Sequence, residues 1–227
     1  MRLDQFITEK LKISKNKAQN LIKSLKVSVN NKIIKKSFEV SSSDKIDISE
    51  SEELNYVARS ALKLKFFEEN FIDLEDKICL DVSSTFCQIL LEKVLKIFAV
   101  DVTSQLHPIL RENKKIISLE NTDIRNLEKL KNLDFITCDV SFINLEKILD
   151  SIIFQMEEKT KVLLLFKPQF QVKEFINKKV VKDKKIIENK LNDFLVFARE
   201  SLKVLKVEKS KIFENNEEVF ILAEKRS

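Results

Sequence analysis

The feature that most restricts this 227-residue chain is a residue it does not contain: there is no glycine. Average usage of about 7% would give roughly 16 in such a length, so chance does not explain the absence. Glycine lets a backbone take positive φ without a Cβ penalty and approach a ligand closely. Every tight turn and ligand-cradling loop must therefore be formed here by residues that carry a side chain.

Within that restriction the apolar pattern is regular. Residues 3–11 read as a short helix with Leu3, Phe6, Ile7 and Leu11 on one face. Ser14 is a candidate N-cap for a second helix over 15–25, with Ala18, Leu21 and Ile22 inward and Lys15, Lys17 and Lys23 outward. Residues 27–30 and 32–35 alternate as short strands about an Asn-Asn turn, and 46–48 suits another strand. Residues 41–55, rich in Ser, Asp and Glu, look like a linker, which divides the chain into a head, 1–50, and a body, 51–227. In the body, candidate strands 78–82, 97–101, 116–119, 134–138 and 161–166 alternate with helical segments 56–70, 86–95, 105–111, 143–157 and 184–201. Two strand-like runs, 203–213 and 219–224, close the chain. Apolar strands alternating with helices imply an α/β fold with a mostly parallel sheet covered on both faces, and the closing pair suits an antiparallel hairpin at its edge.

Composition narrows the function. With 44% apolar and 34% charged residues the chain can bury a core and is not of the disordered class. The longest apolar run, Val162-Leu163-Leu164-Leu165-Phe166, suits a buried strand and is far short of the roughly 20 residues of a membrane span. No membrane association and no signal peptide are expected, which places the protein in the cytoplasm. Cys79, Cys87 and Cys138 have no metal-like spacing and read as buried thiols. His107 is the single histidine, which speaks against a histidine-based metal site or catalytic triad; before Pro108 it reads as a helix-start contact. Residues 1–40 hold ten Lys/Arg against three Asp/Glu, a net of +7, so that the other 187 residues net −2 within the total of +5. A basic head on a near-neutral body points to a polyanion partner.

Several motifs carry more. The head reads Arg2-Leu3-Asp4, then Ser14-Lys15-Asn16-Lys17-Ala18, Leu21-Ile22-Lys23 and Val27-Ser28-Val29-Asn30. This resembles the small RNA-binding module named after a ribosomal small-subunit protein, whose two-helix surface lays cations along RNA phosphates; Arg2, Lys15, Lys17 and Lys23 are the cations offered here. Such contacts give affinity and orientation rather than sequence readout. In the body stand Tyr56-Val57-Ala58-Arg59-Ser60-Ala61-Leu62-Lys63-Leu64, Leu80-Asp81-Val82-Ser83-Ser84-Thr85-Phe86, Glu120-Asn121-Thr122-Asp123-Ile124-Arg125, Cys138-Asp139-Val140-Ser141-Phe142-Ile143 and Phe166-Lys167-Pro168-Gln169-Phe170. In this order they resemble the TlyA (haemolysin-A-like) family of RNA 2′-O-methyltransferases.

The resemblance implies a Rossmann-like methyltransferase preceded by a small α+β RNA-binding domain, with S-adenosyl-L-methionine as cofactor and ribosomal RNA or ribosomal subunits as partners. The acceptor implied is a ribose 2′-hydroxyl, on cytidine. It implies a catalytic Lys-Asp-Lys-Glu tetrad at Lys63, Asp139, Lys167 and Glu218, with Glu217 as a neighbouring alternative for the last. It also implies cofactor contacts from Asp81, Ser83, Ser84, Thr85, Phe86, Asp101 and Asp123. Asp101 ends a strand 20 residues after Asp81, where a Rossmann-like fold places an acid on the ribose hydroxyls of a nucleoside cofactor. The chemistry suits these types: a ribose hydroxyl must lose a proton as it attacks, and a lysine amine can take it where burial and a nearby like charge favour its neutral form. The methyl leaves a sulfonium, so the reaction requires no metal. The alternative of another class is a non-catalytic RNA-binding or ribosome-assembly protein, which needs no such tetrad. A membrane-lytic activity, suggested by the haemolysin name, finds no strongly amphipathic apolar segment.

The missing glycines fall at the family's own glycine positions, as skips rather than substitutions. The family's cofactor loop reads Leu-Asp-(Ile/Val)-Gly-x-Ser-Thr-Gly-Gly-Phe; one residue is absent here between Val82 and Ser83, and two between Thr85 and Phe86. Others fall at Val102/Thr103, Val172/Lys173, Lys179/Val180, Asn30/Asn31 and Asn215/Asn216. Glycines missing from the written sequence, glycines removed by design, and a natural glycine-free chain all remain open. A loop truly shortened by three residues is expected to cradle the cofactor poorly.

Overall fold

A computed structural model of the protein describes residues 1–13, 15–49, 60–104, 106–171, 183–210 and 217–226. Ser14, residues 56–59, Gln105, Asn216 and the skips at 172/173, 179/180 and 215/216 lie outside them. Contacts divide the chain into two compact units, Met1–Asn55 and Tyr56–Ser227.

In the first unit, helices α1 (Leu3–Leu11) and α2 (Lys15–Lys23) accompany a three-stranded antiparallel sheet of β1 (Val27–Val29), β2 (Lys32–Ile33) and β3 (Ile46–Ile48), in the order β2-β1-β3. The 46–48 segment, inside the expected linker 41–55, thus pairs with β1 as a strand. Leu3, Ile7, Ala18, Leu21, Ile22 and Val27 form the core. Asp4 is fully buried, and its carboxylate accepts from Arg2, Gln19 and Ser37. The Arg2 guanidinium is the chief reason its carboxyl lies well below the ordinary range. Without glycine, both helices end on side-chain-bearing residues in the left-handed region, Lys12 (φ 53°) and Leu25 (φ 62°). In each case the next amide reaches back five residues, Ile13 N to Thr8 O at 3.2 Å and Lys26 N to Leu21 O at 3.0 Å, a C-cap geometry that ordinarily selects glycine.

The second unit is a seven-stranded sheet. Its strands are β4 (Ile78–Val82), β5 (Lys96–Asp101), β6 (Ile116–Glu120), β7 (Phe135–Cys138), β8 (Lys161–Phe166), β9 (Leu202–Lys209) and β10 (Val219–Lys225), in the order β6-β5-β4-β7-β8-β10-β9. The first five are parallel; β10 runs antiparallel to both β8 and β9. The helices are α3 (Ser60–Phe71), α4 (Cys87–Leu90), α5 (Pro108–Arg111), α6 (Glu146–Gln155), α7 (Pro168–Gln171) and α8 (Lys184–Ala198). One face of the sheet packs Ile148, Leu149 and Ile152 of α6 and Phe194 and Leu195 of α8; the other packs Leu64 and Phe67 of α3 and Cys87 and Leu90 of α4. Coverage on both faces is why the strands read as continuous apolar runs. Two helices are much shorter than their sequence windows: 86–95 shrinks to α4 and 105–111 to α5, whose N-cap His107 accepts from Ile109 N. All three cysteines are buried and free, and burial pushes the Cys138 thiol up to about 12. No helix among the described residues is long and apolar enough to cross a membrane.

Candidate active site

In an open α/β sheet, ligands bind beyond the carboxyl ends of the strands, where the strand order reverses. Here that point lies between β4, which leads outward to β5 and β6, and β7, which leads the other way. A cleft of about 770 Å³ opens there. Ser83, Thr85, Asp101, Asp123, Arg125, Asp139, Ser141 and Phe142 line it, with Val100, Val102, Ile124 and Ile148 among its apolar walls. Its size falls in the range of small-molecule sites, roughly 300–1,000 Å³.

The loop after β4 makes one wall. Ser83 (φ 84°) and Ser84 (φ 55°) adopt the backbone a glycine would favour, directly after the skip at Val82/Ser83; Asn30 (φ 50°) and Asn31 (φ 66°) do the same at another skip. Ser83 N donates to Val100 O at 2.8 Å and its hydroxyl to Asp139 O at 2.9 Å. Thr85 Oγ1 donates to Asp139 Oδ2 at 3.2 Å. The loop is thereby tied to the end of β7.

Three of the expected cofactor contacts do not reach the cleft. Asp81 is fully buried, and its carboxylate accepts from Thr137 Oγ1 (2.8 Å), Phe86 N (2.9 Å) and Cys87 Sγ (3.1 Å). It pins the loop from below rather than facing a ligand, and burial raises its carboxyl to about 6. Phe86 points into the core beside Phe220, their ring centroids 6.5 Å apart. Ser84 is buried, and its hydroxyl has no partner among the described residues. A strand-end motif shows which residues share a loop, but not which side chains turn inward. Ser83, Thr85, Asp101 and Asp123 do line the cleft. Asp101 Oδ1 accepts from Thr103 N and Oγ1, both at 2.7 Å, and Asp123 pairs with Arg125 at 2.5 Å.

The residues fit a nucleoside-type cofactor best at its nucleoside end, where two carboxylates and apolar walls stand together. At the loop end, the Cβ atoms of Ser83 and Ser84 occupy backbone positions suited to glycine.

The four tetrad candidates form two buried ion pairs. Lys63, on α3, lies with its Nζ 2.5 Å from Glu218 Oε2, and Lys167 Nζ lies 2.5 Å from Asp139 Oδ1; none of the four side chains is more than 10% exposed. Asp139 directly follows β7 and Lys167 directly follows β8. Glu218 directly precedes the antiparallel β10, whose Val219 is registered with Phe166, so all three stand at the same end of neighbouring strands. Of the tetrad, Asp139 lines the cleft itself. Glu217 instead pairs at the surface with Lys209, at 2.9 Å.

Sequence reasoning assigned no part to three other groups here. Ser141 Oγ accepts from Lys167 Nζ at 3.0 Å, Phe142 (78% exposed) stacks on Phe170 at 4.9 Å, and Arg125 lines both the main cleft and a smaller one beside it. All stood within motifs already singled out; what was lacking was their orientation.

In the head, Lys15 and Lys23 are exposed and Lys17 half-buried on α2. Arg2 departs from a free RNA-facing cation: its guanidinium grips buried Asp4 through two bonds, of 3.0 and 3.2 Å, while its side chain stays 49% exposed.

Comparison with known proteins agrees with this division. Residues 1–46 match the S4 domain, and residues 56–226 match the FtsJ-like methyltransferase family. The chain is 42% identical over 224 residues, 86% of each protein, to the 23S rRNA (cytidine-2′-O)-methyltransferase TlyA of Campylobacter jejuni. Its fold superposes on a hemolysin structure from Streptococcus thermophilus with a TM-score of 0.76 and 27% identity, covering 100% of this chain and 89% of that one. An S-adenosylmethionine-dependent methyltransferase from Listeria monocytogenes, only 9% identical, shares the fold of the second unit, with a TM-score of 0.58 over 74% of this chain and 99% of that one. The chain belongs to the FtsJ-like methyltransferases, within the TlyA family and behind an S4 domain.

Proposed function

We propose that this protein methylates ribose 2′-hydroxyl groups of ribosomal RNA, with cytidine as the acceptor nucleoside, as the name of the Campylobacter relative states for that enzyme. The observation that carries the reading is the pair of buried ion pairs, Lys63–Glu218 and Lys167–Asp139, at the cleft end of three neighbouring strands. A binding module has no use for two lysines and two carboxylates sequestered at the ends of interior strands, since burying such charges is costly.

S-adenosyl-L-methionine, when bound, supplies an electrophilic methyl group. Asp101 would hold the ribose hydroxyls of its nucleoside part, Asp123 would accept from the base, and Ser83 and Thr85 would face the remainder. Lys167, in its neutral amine form, is the group that takes the proton of the attacking 2′-hydroxyl, and Asp139 holds the ammonium that results. Glu218 fixes the amine of Lys63. Holding the nucleophile in line with the methyl supplies much of the rate. Lys15, Lys17 and Lys23 of the head contact RNA phosphates. This reading puts the protein in the cytoplasm, with ribosomal subunits as partners.

Mapping ribose methylation in rRNA exposed to the pure protein and labelled cofactor tests the proposal. A cytidine labelled by the parent and not by Lys167→Ala, with RNA binding by the variant nearly intact, is the expected result. Turnover by Lys167→Ala within tenfold of the parent would remove Lys167 as the base, and no labelling by the parent would overturn the reading.

A further inference from the structure

The Lys167 amine has a second oxygen partner besides Asp139. Ser141 Oγ lies 3.0 Å from Lys167 Nζ and accepts from it. The two residues differ in access. Lys167 is 6% exposed and does not line the cleft, whereas Ser141 is exposed and does. Both residues that hold the buried amine, Asp139 and Ser141, line the cleft. The neighbouring backbone supports a constrained placement: Phe142 sits at φ 63°, an outlier for a bulky residue. Such conformations persist only where the surroundings over-determine them, and they cluster at functional sites. The Phe142 ring stacks on Phe170, whose own ring centre is 5.9 Å from the Lys167 amine.

We propose that Ser141 is a positioning residue for Lys167, and this rests on the catalytic reading above. A lysine amine held by one carboxylate can still swing about that contact, because its stem is flexible. A neutral amine that donates to two fixed oxygens keeps its lone pair in one direction in which to receive a proton. Misplacement of a reacting group by about 1 Å can cost on the order of 100-fold in rate. The hydroxyl need not touch RNA or cofactor for this role.

The full-length protein with Ser141→Ala, compared with Ser141→Thr, tests this at saturating cofactor and rRNA. Ser141→Ala should lower kcat about 10- to 100-fold while the KM for each substrate stays within about twofold. Ser141→Thr, which keeps the hydroxyl, should recover kcat to within about threefold of the parent. Three results would overturn the proposal: kcat of Ser141→Ala within twofold of the parent, a loss expressed in KM alone, or equal losses in both variants. A parent with no methyl transfer would instead overturn the catalytic reading itself, and the proposal with it.

Discussion

At the level of single residues, burial decides which charges can act. Glu217 and Glu218 are adjacent acids that composition cannot tell apart, and the sequence left both as candidates for the tetrad. Strand periodicity turns neighbours to opposite faces, but which one faces inward depends on the register of β10 against β8, a long-range pairing. The structure gives Glu218 to buried Lys63 and leaves Glu217 to exposed Lys209, which holds its carboxyl below the usual range. Glu217→Gln should therefore leave methyl transfer within about twofold, and Glu218→Gln should reduce it by 100-fold or more; steady-state turnover of both variants decides. Equal effects would mean that the Lys63–Glu218 pair is structural only. Asp81 is the opposite case, an acid whose motif position suggested a ligand contact and whose side chain points into the sheet. Its carboxyl titrates at about 6 when folded, against 3.8 ordinarily. The folded state thus binds more protons than the unfolded one between those values, so this group's contribution to stability falls as pH rises through that window. The difference amounts to about 3 kcal/mol at pH 7. Asp81→Asn has no charge to bury. Its stability relative to the parent should therefore improve between pH 4 and pH 7, read from urea midpoints at both values; a pH-independent difference would show that the three donors to Asp81 fully offset its burial.

At the level of elements, local pattern was enough for the strands and insufficient for the short helices. Strands 78–82, 134–138 and 161–166 were legible because both faces of a parallel sheet are covered, which makes their apolar runs continuous. Helices α4 and α5 were overestimated because apolar residues after a strand satisfy helix spacing even where only one turn forms. Nothing local says that β10 inserts between β8 and β9. The glycine deficit, by contrast, is an element-scale property with a local consequence. Ten described residues take positive φ with a Cβ attached. Asn30, Asn31, Asp76, Asn121 and Asn132 tolerate this comparatively well; Leu25 and Phe142 do not. Leu25 is also 47% exposed, so its side chain offers little packing in return. Leu25→Gly should stabilise the C-terminus of α2 by about 0.5–1 kcal/mol, the net of a relieved left-handed strain and a more flexible unfolded chain. Slower amide exchange at Ser24 through Lys26 is the measurement; faster exchange would show that the Leu25 side chain matters more than its backbone.

At the level of the whole molecule, the basic stretch and the cleft lie in different units. The +7 of residues 1–40 lies within the unit Met1–Asn55, where residues 41–55 offset it to +3, and the cleft, with both ion pairs, lies within Tyr56–Ser227. Attraction to RNA and the chemistry on it can then be altered separately, since substitutions in groups that share no partner have nearly independent effects. The asymmetry was plain from composition, because counting charges along a chain needs no fold. Which cations are available was not, and Arg2, tied to Asp4, is the example. α2 carries Lys15, Lys17 and Lys23, the first and last of them exposed. Each phosphate contact releases counterions and adds close to one unit to the slope of log affinity against log salt. Changing all three to glutamine in the full-length protein should therefore flatten that slope for rRNA by about two to three units, with the loss in affinity largest at low salt. Affinity for the cofactor should stay within twofold, because no part of the cleft is altered. An unchanged slope would show that α2 is not the electrostatic contact, and would turn attention to the other seven cations of residues 1–40 and to the body, where Arg125 and Lys147 border the smaller cleft beside the proposed catalytic residues.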